Sequence, residues 1–430
     1  MPFVYLVKPV TVESHEEEKK GSYPPLGLLY LSSMFKEYGF ETKLYDLDFV
    51  DENALVKQAS HEQPEIVAIT STTPSYYSIV HVIKRLREIL KNSLFAVGGP
   101  HATLVPEDFI GIADVIVKGE GERVISELVK MSRKQRFKNT IVLNGETVEN
   151  LDEIPYPDRS ILDRRYYSEN LGSMFTSRGC PYNCLFCATR FIMGRKFRAR
   201  SVGNVIGEWI ELKEKYKAPK IRILDDVFTF NRQRAVEICK QVKEYGLGEW
   251  SLPNGVRVDN VDAELLELMA DSGCTIVWYG VESGSQKVIN ILRKGIKLEQ
   301  VEKVVEWSKD VGLSVGLFFM VGAPGETLET VYETLKLIEK LDPDYVHFSI
   351  ATPYPGTDFW KWVEENGRFL THDYSKFERE FIFETPDYPL KDRIKRLKYR
   401  IVKNNILSVK VEYPQDLQDS SIISAITISF

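Results

Sequence analysis

The chain has 430 residues, of which 43% are hydrophobic and 27% charged, with a formal net charge of -6. Such a composition builds a globular protein with a large core, and the length calls for two domains and an appendage. The mild acidity argues against a nucleic-acid partner, no apolar run is long enough to span a bilayer, and the five cysteines, three of them bunched, exclude a disulfide framework.

The apolar start Phe3–Val7 carries no basic leader and no small-residue cleavage site, so a cytoplasmic protein is expected. Phe3–Val7, Thr42–Tyr45, Ile66–Thr70, Leu94–Val97 and Asp114–Val117 read as buried strands. Leu26–Glu37, Tyr77–Leu90 and Glu122–Met131 read as amphipathic helices between or after them. This alternation predicts an α/β, doubly wound, Rossmann-like parallel sheet over residues 1–140, with ligands at the carboxyl ends of its strands. Those ends carry Ser71-Thr72-Thr73-Pro74, Gly98-Gly99-Pro100-His101 and Gly119-Glu120-Gly121-Glu122. Loops of this kind are also glycine-rich for geometric reasons, and on the residues alone the plain turn reading leads.

Residues 141–170 break into turns at Pro155 and Pro157, with a hairpin dipeptide at Asn144-Gly145, and suit a linker. A second series of strands follows at Ser173–Thr176, Lys220–Leu224, Ser251–Asn254, Ile276–Val281, Ser314–Val321 and Tyr345–Ile350. Six βα units are too few for an eight-fold barrel and predict a partial (β/α)6 barrel over 171–372. A C-terminal helical tail is expected over 373–430. In it, Lys391 to Lys410 holds Ile394, Leu397, Ile401 and Val409 at helical spacing on a basic background. A helix docked on its own domain is favoured there over contact with a membrane surface.

Cys180-Pro181-Tyr182-Asn183-Cys184-Leu185-Phe186-Cys187 follows directly on the first strand of the second series. Three thiolates can bind three irons of a four-iron cluster and leave the fourth open. A structural zinc site would want a fourth ligand, and no histidine occurs between His101 and His347. The iron–sulfur reading therefore leads for Cys180, Cys184 and Cys187, while Cys239 and Cys274 read as ordinary buried thiols.

The run Ser177–Cys187, with Phe186 before the last cysteine, resembles the cluster loop of the radical S-adenosylmethionine (SAM) superfamily, and the likeness covers nearly the whole chain. It implies a [4Fe-4S] cluster whose open iron chelates SAM, and reductive cleavage of SAM to a 5′-deoxyadenosyl radical. Asp225-Asp226-Val227-Phe228 is similar to the segment that accepts the SAM ammonium, where a helix N-cap is the plainer alternative. Arg257 is the expected fork for the SAM carboxylate, beside the alternative of a surface arginine. Gly280-Val281-Glu282-Ser283-Gly284 is similar to the ribose- and carboxylate-contacting segment, and the stretch Gly316 to Glu326, with Gly322, to the adenine motif.

Pro24-Pro25-Leu26-Gly27-Leu28 and the loops after Val97 and Val117 resemble the cobalamin-binding domain that precedes many radical SAM barrels. The resemblance implies cobalamin contacts at Leu26, Gly27, Ser71, Thr72, Thr73, Gly98, Gly99, His101, Gly119, Glu120 and Gly121. No Asp-x-His-x-x-Gly occurs, so a histidine-ligated cobalt is not expected, and His101 is favoured as a satisfied loop histidine. The expectation is a cobalamin-dependent radical SAM enzyme, a methyltransferase acting at an unactivated carbon. A radical cyclase or rearrangement enzyme is the alternative, and a cobalamin carrier or sensor is the alternative outside that class. The implied partners are a small-molecule, lipid or peptide substrate and an electron donor such as flavodoxin or ferredoxin.

Overall fold

The computed structural model describes residues 2–10, 22–133 and 139–392. It divides into two compact units, Met1–Pro181 with Ala188–Ile221, and Tyr182–Cys187 with Arg222–Phe430.

In the first unit six parallel strands form one sheet: β1 (Phe3–Lys8), β2 (Glu41–Asp46), β3 (Ile66–Thr70), β4 (Leu94–Gly98), β5 (Val115–Gly119) and β6 (Ile141–Gly145). Their order is β2-β1-β3-β4-β5-β6, so the winding reverses between β1 and β3. Alternate strand residues feed two cores, one on each face. Tyr5, Val7, Val67, Ile69, Phe95 and Val97 pack with helices Glu52–Glu62 and Tyr76–Ile89. Val4, Leu6, Ile66, Ala68, Leu94 and Ala96 pack with helices Leu26–Glu37 and Ile125–Ser132. Strands apolar on both faces are what a parallel sheet covered on both sides demands.

β6 corrects one expectation. Asn144-Gly145 closes no hairpin; Ile141–Gly145 pairs in parallel with β5, from Val115↔Ile141 to Gly119↔Gly145. The close approach of Gly145 to β5 explains the glycine, since a Cβ there would lie 1.9 Å from the Glu120 carbonyl oxygen.

The second unit is built on β10 (Ile221–Ile223), β11 (Trp250–Val256), β12 (Cys274–Glu282), β13 (Ser314–Val321) and β14 (Tyr345–Ile350), each beside its predecessor. Helices Arg232–Glu244, Ala263–Asp271, Leu298–Asp310 and Leu328–Leu341 alternate with them. Counting β7 (Gly172–Met174), which lies in the first unit, the chain supplies the six strands of a partial (β/α)6 barrel. Residues 373–392 add two 3-10 turns and the short strand Phe383–Glu384, antiparallel to Arg368–Phe369. The basic stripe expected from Lys391 to Lys410 lies, beyond Asp392, outside the described residues. Among the described residues no helix is long and apolar enough to cross a membrane.

Candidate active site

At the carboxyl ends of the first sheet the expected loops knit together. Ser71 is fully buried; its Oγ donates to the Gly98 carbonyl at 2.6 Å and accepts from the Ala102 amide at 3.0 Å. Thr72 turns back on Ser75 Oγ at 3.0 Å. Thr73 Oγ1 lies 3.1 Å from His101 Nδ1, and Asp108 Oδ2 lies 3.1 Å from its Nε2. Both ring nitrogens are therefore occupied, His101 is fully buried, and burial holds its imidazole below the ordinary range against the pull of Asp108.

The two glycines of Gly98-Gly99 differ. Gly99 has φ +94°, and a Cβ on it would meet the Ser71 backbone at 2.8 Å. Gly98 would make only ordinary contact, at 3.6 Å from Val117. Gly27 faces open space beside buried Leu26. Thr103 Oγ1 donates to the Gly99 carbonyl at 2.8 Å and accepts from the Gly119 amide at 3.0 Å, tying the β4 and β5 loops together. Small residues at open strand ends fit a bulky planar ligand; Gly98 offers that room, as does Gly27 in the first turn of the helix Leu26–Glu37, whereas Gly99 is needed by the backbone itself.

Cys180 opens a loop bracketed by a two-residue ladder, β8 (Ser177–Arg178) antiparallel to β9 (Arg198–Ala199). Gly179 at φ +84° passes so close to the Lys196 carbonyl that a Cβ would sit 2.2 Å from it, and the Cys180 amide donates to Gly194 O at 3.2 Å. Glu120, an expected cobalamin contact, is instead engaged internally. Arg198 forks onto both its oxygens at 3.0 and 2.6 Å, and the Val148 amide donates to it at 2.7 Å. Gly121, beside it, packs against Leu31.

In the second unit Leu185 is buried in a core with Val288, Leu292 and Met320, and its amide donates to Leu292 O at 2.9 Å. This sets Cys184 and Phe186 against two cations. Arg257 Nη1 lies 3.8 Å from Cys184 Sγ, and the guanidinium covers the Tyr182 ring at 3.6 Å. Arg257 is no surface arginine: it is 7% exposed, with Asp259 and the Lys294 carbonyl taking its other donors. Lys294 Nζ stands 5.6 Å over Phe186 and donates to Glu282 Oε1 at 2.6 Å. Glu282 sits at φ +70° where β12 slips register against β13. Such a bulge re-aims a side chain at a strand end.

Burial pushes the Cys184 thiol up, while Lys294 and Arg257 pull it down. All five cysteines are free, and cations beside a thiol favour the thiolate that ligates metal. Three free cysteines at CxxxCxxC spacing are the donor type that an iron–sulfur cluster takes. Among the described residues no three His, Cys, Asp or Glu side chains are gathered closely enough for a single metal ion.

Asp225 is buried and Asp226 exposed at the end of β10. Neither caps the helix that follows: Asn231 does, accepting from the Arg234 amide. Ser283 Oγ accepts from the Ser285 amide at 3.1 Å, and the Gly322 amide donates to Glu326 Oε1 at 2.8 Å. Sequence reasoning gave no role to Arg178, which stands in the cluster-loop run, and missed Arg198 and Lys294, which stand in no local motif.

The fold and these loops define an α/β enzyme class in which a doubly wound, ligand-binding sheet precedes a partial barrel with a CxxxCxxC loop. Residues 174–338 match the radical SAM superfamily, and residues 18–129 match the B12 binding domain. An uncharacterized methyltransferase of Pyrococcus horikoshii is 35% identical over 399 residues, covering 87% of this chain and 86% of that protein. The chain belongs to the radical SAM superfamily, in the group with an N-terminal B12-binding domain. The anaerobic magnesium-protoporphyrin IX monomethyl ester cyclase of Cereibacter sphaeroides is 29% identical; 84% of this chain covers 63% of that protein. The same fold occurs in the radical SAM methyltransferase TsrM from Kitasatospora setae, solved with cobalamin and a [4Fe-4S] cluster. It gives a TM-score of 0.69 at 20% identity, over 87% of this chain and 81% of that one.

Proposed function

We propose that this chain is a cobalamin-dependent radical SAM methyltransferase acting at an unactivated carbon of a small molecule. The observation that carries the reading is the setting of Cys184, with Arg257 3.8 Å from its sulfur, in a chain that begins with a B12-type sheet. Cys180, Cys184 and Cys187 would hold the cluster, and the strand ends at Gly98 and Gly119, with Gly27 in the first turn of the helix Leu26–Glu37, would receive cobalamin. When bound, these groups supply a 5′-deoxyadenosyl radical from SAM and a transferable methyl group. Arg257, fixed by Asp259 and stacked on Tyr182, presents a preorganised cation for the SAM carboxylate. Asp225, and Glu282 held by Lys294, are the carboxylates for its ammonium and ribose. The barrel's part is to orient SAM and keep water from the radical.

Reducible iron and five free thiols suit a reducing compartment, so the cytoplasm, with a flavodoxin- or ferredoxin-type electron donor, completes the reading. The likeness to the magnesium-protoporphyrin cyclase keeps a radical ring closure as the second reading. Anaerobic protein supplied with cobalamin and methyl-labelled SAM separates the two. Corrin absorption with label in the product supports methyl transfer. SAM cleavage without label transfer supports the cyclase, and no SAM cleavage rejects both.

A further inference from the structure

The two carboxylates of the Gly119-Glu120-Gly121-Glu122 loop face arginines on both arms of the cysteine hairpin. Before Cys180, Arg178 Nη2 donates to Glu122 Oε1 at 2.6 Å, and its Nη1 lies 3.7 Å from Glu120 Oε1. After the loop, Arg198 forks onto Glu120 and also donates to the carbonyls of Val148 at 2.6 Å and Met193 at 2.8 Å. The four side chains are 2–10% exposed. A second tie runs alongside, where the turn Pro100–Leu104 packs on the helix Thr189–Ile192. All of these residues lie in the first unit.

We propose that Glu120 and Glu122 are positioning residues that clamp both arms of the cysteine hairpin to the carboxyl end of β5 and thereby fix the stance of Cys180. A carboxylate with two oxygens held by a fork and an amide cannot rotate, and an arginine held at both ends sets the chain on either side of it. The hydrogen-bond path Gly99–Thr103–Gly119 joins the same clamp to the β4 loop, so the ends of the first sheet and the two arms of the hairpin are linked within the first unit. The proposal rests on the reading that Cys180 is a cluster ligand. It gives Glu120 a structural grip on the protein where the sequence suggested a cofactor contact.

The test uses the full chain, reconstituted anaerobically with iron and sulfide, with Glu120→Gln, Glu122→Gln and, as a control in the same unit, Tyr167→Phe. Tyr167 is buried and donates to Asp46, away from the hairpin. Iron per chain and the midpoint potential of the cluster are measured. The amide exchange of residues 177–199 is followed in the iron-free protein. Loss of the clamp should cost about ten-fold or more in cluster retention, the scale at which partners behind metal ligands act. It should also shift the potential and speed hairpin exchange, while Tyr167→Phe leaves all three alone. Should Glu120→Gln fail to fold, Arg198→Lys keeps the charge, loses the fork onto Glu120 and is expected to move the same three readouts. Parent-like values in the glutamate variants, or equal losses in Tyr167→Phe, would overturn the clamp alone. A parent that binds no iron would sink the cluster reading and the clamp with it.

Discussion

Lys294 Nζ and Glu282 Oε1 meet at 2.6 Å with only 9% and 10% of their side chains exposed, a buried ion pair beside Phe186 of the cysteine loop. Removing one partner strands the other charge away from water. Lys294→Met should therefore destabilise the protein by about 3–5 kcal/mol, with Glu282→Gln/Lys294→Met recovering part of the loss. Denaturant unfolding of Lys294→Met, Glu282→Gln and the double variant measures this, and SAM affinity should fall in both single variants.

Replacing Cys180, Cys184 or Cys187 by Ala should abolish iron retention and SAM cleavage while the secondary structure remains. Cys239→Ala provides the contrast. Cys239 is buried away from the loop, with its thiol pushed up to about 11 by burial, and its removal should leave iron content unchanged. Iron analysis and far-ultraviolet dichroism on the same samples decide it.

The paired glycines of the β4 loop should separate folding from ligand binding. Gly99→Ala forces a side chain to φ +94° and into the Ser71 backbone, so it should destabilise by about 1–3 kcal/mol. Gly98→Val needs no backbone shift at its Cβ, yet fills space at the strand end. It should keep thermal stability and lose cobalamin. Retention of corrin by Gly98→Val would remove that strand end from the cobalamin site.

Much of this was legible from residue order. Ile66–Thr70, Leu26–Glu37, Ser314–Val321 and Tyr345–Ile350 fold with the expected boundaries, because β-branched and aromatic runs and a clear helical stripe leave little competition. Glu52–Glu62 gave a weaker signal, since only Leu55 and Ala59 of that helix are buried. Asn144-Gly145 suggests a hairpin inside a linker because Asn-Gly favours such turns, which hides the strand Ile141–Gly145. Its partner β5 lies more than twenty residues earlier, and no local pattern reports a parallel edge strand. Lys294, Arg178 and Arg198 were invisible for the same reason: each finds its carboxylate 12, 56 or 78 residues away.

His101 should make stability depend on pH in one direction. Burial lowers its folded-state pKa, so between the folded value and about 6.5 the unfolded chain binds the proton and the folded chain does not. The contribution is complete above about pH 6.5 and is lost as pH falls through the folded value. Asp108, the facing carboxylate, limits the size of the effect. Thermal midpoints should decline on acidification in the parent and more shallowly in His101→Gln. With cobalamin bound, the Co(II) resonance should lack nitrogen splitting from this ring, because both nitrogens are already engaged.

The glutamate–arginine clamp also sets an order of events on the ribosome. Glu120 emerges 78 residues before Arg198, an interval of about 4–16 s at ordinary rates of chain elongation. Through that interval the first sheet can already pair its strands, while its carboxylates remain hydrated and its far edge unlatched. The nascent chain latches that edge only once the cysteines have left the tunnel. A fragment cut before Arg178 would keep those carboxylates permanently without their counter-charges.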